Sequence, residues 1–224
     1  MAPGHTPYRQ HEGWCGIVGP LLTLLAVAIY GVVHSLLASF AAKRLARQLA
    51  GSRADRLYRL GFNLVGGLTF LPVLAVLAAF PGQMLYRIAA PWFLLALAGQ
   101  LAALALLLLG LLQTDPWHFL GLRQLLAEEP PETPRLVVSG LYAWVRHPLY
   151  TAGLLFLWLT PVMTTSVLAF NLALTAYIFV GSQLEERRLL AEFGEAYAAY
   201  QRQTPRLLPL PWKPHSRTDA PPRS

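Results

Sequence analysis

Residues 149–181 read LYTAGLLFLWLTPVMTTSVLAFNLALTAYIFVG, an apolar run without Lys, Arg, Asp, Glu or His, divided by Pro161. As one helix rising ~1.5 Å per residue, the run overshoots a ~30 Å hydrocarbon core. Two arrangements fit it. One is a helical hairpin turned at PVMTTS; the other is a single long helix kinked at Pro161. The piece before Pro161 is short for a full crossing, so a hairpin requires arms that tilt or that start inside the Arg146-His147-Pro148 region. The flanking charges favour the hairpin. Arg146 precedes the run, and Arg187, Arg188, Arg202 and Arg206 follow it. Basic residues beside spans collect on one membrane face. A run that doubles back satisfies that rule, and a single crossing violates it.

Working outward, three further apolar stretches precede the run. They cover about 16–40, 61–80 and 89–112, and hold no Lys, Arg, Asp or Glu and one histidine, His34. The chain of 224 residues is 55% hydrophobic and only 13% charged, where soluble domains carry roughly 25% charged residues. The expected fold is therefore all-α: a polytopic integral membrane protein with about five transmembrane helices, the last two forming a hairpin. The first stretch lacks an Ala-x-Ala cleavage site followed by polar sequence, which argues against a cleaved signal peptide. The loop 43–59 carries Lys43, Arg44, Arg47, Arg53, Arg56 and Arg59 against Asp55. Putting every basic cluster on the cytoplasmic face orients the chain with its N-terminus outside and its C-terminus inside. The net charge of +7 is thereby accounted for, and nucleic-acid binding is not needed to explain it. Cys15 is the single cysteine, so neither an internal disulfide nor a cysteine metal motif can form.

The expected organisation is an N-terminal tail over 1–15, a three-helix region over 16–112, a functional region over 113–212 and an unstructured tail over 213–224. Within the connector, WHFLGLRQLLAEE (117–129) suits a short interfacial helix that Pro130, Pro131 and Pro134 end. After the hairpin, LEERRLLAEFGEAYAAYQRQ suits a helix running to Thr204-Pro205.

Two clusters carry the polar chemistry. One is Tyr142, Trp144, Arg146, His147, Pro148 and Tyr150; the other is Glu185-Glu186-Arg187-Arg188. A hairpin brings both to one cytoplasmic mouth. Pro148 suits the first turn of a helix and fixes Arg146-His147 ahead of it. Carboxylates can hold hydroxyls and an amine, arginine can grip a carboxylate, and aromatic faces can meet a cation. The same residues also suit interfacial salt bridges, snorkelling arginines and an aromatic belt. His34, four residues after Tyr30 within the first stretch, fits either a helix–helix hydrogen bond or a functional site.

The stretch GLYAWVRHPLY…EERRLLAEFGEAYAAYQRQTPRLLP resembles the C-terminal signature of the isoprenylcysteine carboxyl methyltransferase and phospholipid methyltransferase superfamily over about 139–209. The shared pattern is Arg146-His147-Pro148 with Tyr150, a hydrophobic hairpin, then Glu185-Glu186. The pieces His34-Ser35 with Lys43, Tyr58-Arg59 with Asn63, and Gly121-Leu122-Arg123-Gln124 resemble the methanethiol S-methyltransferase branch, near the NnrU-like proteins. The resemblance implies a methyltransferase of the bacterial inner membrane that uses S-adenosyl-L-methionine. It implies cofactor contacts at His147, Tyr150 and Glu185, with Tyr142 beside them. Arg146 and Glu186 would shape the site. The charge topology, separately, puts His34 in the cytoplasmic half of its span, from where it could reach the acceptor pocket.

The expected reaction passes the sulfonium methyl directly to a nucleophile, without a metal. The expected acceptor is a small thiol such as methanethiol, giving dimethyl sulfide. An isoprenylated cysteine carboxylate or another lipid-like acceptor is the alternative. His34, Glu186 or ionisation in solution could each supply the thiolate. A scaffold or small transporter is the non-enzymatic reading; the chain shows no inverted repeat of the transporter kind.

Overall fold

A computed structural model describes residues 8–114, 116–117, 122 and 136–209, apart from the side chains of 8–15, 52–53 and 55–56. The interfacial helix expected over 117–129, its proline stop, Arg123 and Gln124, and the tail 213–224 lie outside the described residues, save Trp117 and Leu122.

Helices α1 (Tyr8–Ala38), α2 (Phe40–Ala50) and α3 (Ser52–Ala79) lead into a short strand, β1 (Met84–Arg87), and helix α4 (Trp92–Gln113). A single 3-10 turn over Gly140–Ala143 precedes α5 (Pro148–Trp158), β2 (Val162–Thr164), α6 (Thr165–Phe193) and α7 (Glu195–Gln203). Among the described residues the architecture is helical apart from one antiparallel ribbon, in which Met84 faces Thr164 and Arg87 faces Val162.

Among the described residues, four helices are long and apolar enough to cross a membrane: Gly16–Ala38, Leu57–Ala79, Trp92–Gln113 and Thr165–Phe193. Against the expectation of about five transmembrane helices, the first arm of the hairpin holds α5, an apolar helix of only 11 residues that rises ~17 Å. It starts at Pro148 and stops before the chain turns into β2. Residues 159–164 complete the arm, turning over 159–161 before the extended β2, and add up to ~20 Å at ~3.3 Å per residue. Together the two pieces match the ~32 Å that α6 rises from Thr165 to Glu186. A half-length helix thus still returns the chain to the level from which it set out.

Burial follows membrane logic. Thr23, Ser166, Asn171 and Ser182 are buried, whereas Leu21, Leu25, Ile29 and Val32 on α1 and Leu94, Leu101 and Leu108 on α4 are exposed. Lipid accepts apolar side chains outward, so helix contacts are made by small and polar groups. Helices α1, α3 and α6 meet around Val27, Val73 and Phe170, with Tyr30 and Phe70 against them. Helix α4 lies on α5. There a Cβ on Gly99 would come within 2.9 Å of Leu159, and one on Gly110 within 3.0 Å of Leu149.

Polar clips hold the hairpin together. Asn171 Nδ2 donates to the Leu157 carbonyl at 2.9 Å, and Trp158 Nε1 donates to Thr175 Oγ1 at 3.0 Å. The far tip is tied to the α3–α4 turn by the ribbon and by Ser166 Oγ donating to the Phe80 carbonyl at 2.6 Å.

Two further differences from expectation have local causes. The basic stretch 43–59 is not a loop: it forms α2 and the start of α3. Ser39 caps α2 by accepting from the Ala42 amide at 3.2 Å, and Gly51, at φ +59°, turns the chain into α3. The helix after the hairpin continues α6 itself to Phe193, breaks at Gly194 with φ +55°, and resumes as α7. It ends before Thr204-Pro205, as the proline dictates. At the other end, α1 already begins at Tyr8, ahead of the apolar stretch.

Candidate active site

Pro148 occupies the first turn of α5, and His147 ahead of it is non-helical, at φ −125° and ψ 67°. The backbone there pairs with the segment after α7. The Arg146 amide donates to the Pro205 carbonyl at 2.9 Å, and the His147 amide to the Arg206 carbonyl at 3.1 Å. Thr151 Oγ1 donates to the Leu207 carbonyl at 2.6 Å. Residues 204–207 therefore form a strap across the hairpin mouth.

Glu186 lies on the inward face of α6 and is buried. Arg146 Nε donates to its Oε1 at 2.7 Å, with His147 Nε2 3.3 Å from the same oxygen. Gln201 Nε2 donates to its Oε2 at 3.2 Å, and Arg206 Nε is 3.3 Å from that oxygen. Arg146 Nη1 donates to the Gln201 carbonyl at 2.9 Å and to the Thr204 carbonyl. One carboxylate thus gathers α5, α6, α7 and the strap. Burial of a charge is costly unless it is paired and hydrogen-bonded, and both conditions are met here.

Glu185 is placed differently. Its side chain is 45% exposed, and its Oε2 accepts from the Tyr150 hydroxyl at 2.9 Å. His147 Nδ1 stands 3.7 Å from the same oxygen, beyond hydrogen-bond length. The His147 and Tyr150 rings stack at 5.4 Å with a 22° tilt. Burial holds His147 below the ordinary imidazole range, with Arg146 adding to the effect; Glu185 and Glu186 oppose it without overcoming it. A neutral ring that bonds Glu186 does so as an Nε2–H donor, which leaves Nδ1 as an acceptor facing the Glu185 side.

Tyrosines line the mouth. Tyr200 donates to the Tyr142 carbonyl at 2.5 Å. Burial pushes the Tyr142 phenol up to about 12, and the nearby Glu185 adds to the shift. Burial also pushes Tyr197 up to about 12 and raises Tyr200. All three remain protonated near neutral pH.

Of the residues singled out from sequence, the structure gathers Arg146, His147, Tyr150, Glu185 and Glu186, with Tyr142 alongside. His34 stands apart, in a nest between α1, α3 and α6. Its ring centroid lies 4.6 Å from Phe62, 5.4 Å from Tyr30 and 6.4 Å from Tyr177. Ser35 Oγ and the Tyr177 hydroxyl are 3.3 Å apart. His34 Nδ1 is buried without a hydrogen-bond partner, and a Cβ on Gly66 would stand 3.3 Å from it. Tyr177 and Glu185 share one face of α6, eight residues apart.

Sequence reasoning missed Gln201, Thr204 and Tyr200 as members of the site, and read Arg206 only as a topology charge. Their one signal was position, inside YAAYQRQTPRLLP.

No family model and no solved structure matches the chain. A protein named methanethiol S-methyltransferase from Crocosphaera subtropica is 46% identical over 98 residues, covering 42% of this chain and 38% of that protein. One of the same name from a Pseudomonas species is 32% identical over 206 residues, covering 87% of this chain and 76% of that protein. The human protein-S-isoprenylcysteine O-methyltransferase is 36% identical over 85 residues, covering 37% of this chain and 30% of that protein. The chain thus spans well under half of the Crocosphaera and human proteins, but most of the Pseudomonas one. With that long alignment, the chain belongs to the methanethiol S-methyltransferase family.

Proposed function

We propose that the chain is a membrane-embedded methyltransferase that uses S-adenosyl-L-methionine to methylate a small thiol such as methanethiol, releasing dimethyl sulfide. The observation that carries this reading is the Arg146-His147-Pro148 turn held against Glu185-Glu186 at one hairpin mouth, in a chain of this family. In this reading the mouth faces the cytoplasm of a bacterial inner membrane, with the N-terminus outside.

The residues present fit the cofactor. Glu185 is half exposed and has acceptor capacity left for a hydroxyl or an ammonium. His147 Nδ1 adds an acceptor beside it, and Tyr150 adds an aromatic face of the kind that attracts a cation. The bound cofactor supplies an electrophilic methyl on a positive sulfur. Arg146 and Glu186 act as positioning residues: their charges are spent on each other, on Arg206 and on the strap. Glu186, held by two guanidinium groups, is a poor base.

His34 serves the acceptor. An unpaired buried N–H is rarer than an unpaired lone pair, so the unpartnered Nδ1 is the lone-pair nitrogen and the proton sits on Nε2. The ring then acts as a donor, favouring the thiolate form of a sulfur placed near it. The surrounding aromatic nest suits a small apolar molecule arriving from the bilayer.

The stretch shared with the human isoprenylcysteine enzyme supports a second reading, with a lipid-like acceptor. Purified protein given isotopically labelled cofactor and, in parallel, methanethiol, larger thiols, a farnesylated cysteine and extracted lipids separates the two. Volatile labelled product is the expected result. Label found only in the farnesylated cysteine or the lipids overturns the thiol assignment.

A further inference from the structure

Lys43, Tyr58 and Arg59, which stand out in sequence but play no part in the hairpin mouth, converge on one cavity. It has a volume of about 170 Å³, is lined among the described residues by these three and Ala54, and sits where α2 turns into α3. We propose that this cavity is a binding site for a phosphate group, and that the headgroup of an anionic phospholipid is its occupant. The proposal does not depend on the methyltransferase reading.

Three observations support it. The first is charge. Helix α2 carries Lys43, Arg44 and Arg47 and no acidic residue, and α3 brings Arg59 to the same cavity. An ammonium and a guanidinium together suit phosphate oxygens, the guanidinium through paired N–H donors.

The second is depth. The apolar span of α1 ends at Ala38 and that of α3 starts at Leu57. The cavity therefore lies at the level where both spans leave the hydrocarbon. Lipid phosphates occupy that level, and basic pockets between helices there take anionic headgroups.

The third is that the walls are built rather than loose. The Tyr58 hydroxyl donates to the Leu37 carbonyl, tying α3 to the end of α1. Ala54 is buried beneath the turn. Helix α2 is also held from α6: the Arg188 guanidinium carbon lies 5.3 Å from the Phe40 ring centroid, and Lys43 Nζ lies 5.9 Å from it. Phosphate is the shared chemistry of a lipid headgroup and a soluble phosphate, so the test separates those sources.

The full-length protein is exchanged into nanodiscs of phosphatidylcholine with or without phosphatidylglycerol. It is then released into mild detergent, and the lipid it retains is counted by native mass spectrometry. Lys43→Gln, which changes an exposed side chain, and Lys43→Gln/Arg59→Gln are compared with Arg44→Gln, which leaves the cavity lining intact. We expect one phosphatidylglycerol retained by the wild-type chain and by Arg44→Gln. Retention should fall several-fold in Lys43→Gln and further in the double variant. Retained phosphatidylglycerol that millimolar inorganic phosphate does not displace supports the lipid source. Complete displacement by inorganic phosphate overturns the headgroup assignment in favour of a soluble ligand. Equal retention in all variants, or equal retention of phosphatidylcholine, overturns the site.

Discussion

Replacing Arg146 by Met should unfasten the strap, and the size of the effect follows from the contacts. The Arg146 side chain is 10% exposed and that of Glu186 is 6% exposed. Removing one partner of a buried pair costs about 3–5 kcal/mol, because the other charge is left uncompensated. Arg206 still faces Glu186 at 3.3 Å, but it is 30% exposed and its help is diluted by water. The carbonyls of Gln201 and Thr204 also lose their donor, at ~1 kcal/mol each. These losses overlap, so the single variant should lose about 3–5 kcal/mol in all. In Arg146→Met/Glu186→Leu the stranded carboxylate is gone and Arg206 can turn to water. That double variant should recover ~2–3 kcal/mol relative to the sum of the singles, within the range of directly coupled residues. The assay is reversible denaturant unfolding in mixed micelles, run on both singles and the double. A loss below about 1 kcal/mol for Arg146→Met, or strictly additive energies around the cycle, refutes the view that this pair fastens α5 to the strap.

Other outcomes follow from the same geometry. Tyr150→Phe deletes the 2.9 Å bond to Glu185; it should weaken cofactor binding about three- to tenfold, worth ~0.5–1.5 kcal/mol, with little change in melting temperature, as titration calorimetry can check. His147 has a depressed folded-state pKa, so between that value and ~6.5 the unfolded chain binds the extra proton. Its contribution to stability is complete above ~6.5 and is lost as pH falls toward the folded value; His147→Gln should flatten that limb in melting curves recorded against pH. Gly82→Ala places a Cβ 2.2 Å from Thr165 Oγ1 at φ +73° and should cost about 1–3 kcal/mol, visible as a lower unfolding midpoint. His34→Phe should lower turnover with methanethiol at least tenfold while cofactor affinity stays within about twofold, since a hydrogen-bonding group is removed and the apolar nest is kept.

The spans were readable because a helix in lipid must be long and uncharged, and the return of the chain was readable because Arg146 and Arg187 require the same face. Arg146-His147-Pro148 and Glu185-Glu186 could then be placed together by topology alone. The ribbon was not readable: Met84–Arg87 and Val162–Thr164 are too short to show a period of two, and their pairing is a long-range event. Helix α2 was hidden by its charge, which marks a loop as readily as an amphipathic face. Thr204 escaped because a backbone carbonyl accepting from Arg146 leaves no trace in side-chain identity, and Gln201 and Arg206 because their side-chain contacts with Glu186 depend on how the chain turns back after α6. The half-length α5 was hard to foresee because extended residues complete the arm, and composition does not distinguish the two forms.

The strap has a consequence for how the protein is made. Chains emerge from the ribosome N-terminus first, so all four long apolar helices can be inserted before residues 204–207 exist outside the exit tunnel. Until they arrive, Arg146 lacks the Thr204 carbonyl and Glu186 lacks Arg206. Competence therefore waits on the segment that follows α7, and a chain cut just after Gln203 should insert into the bilayer and yet stay inert.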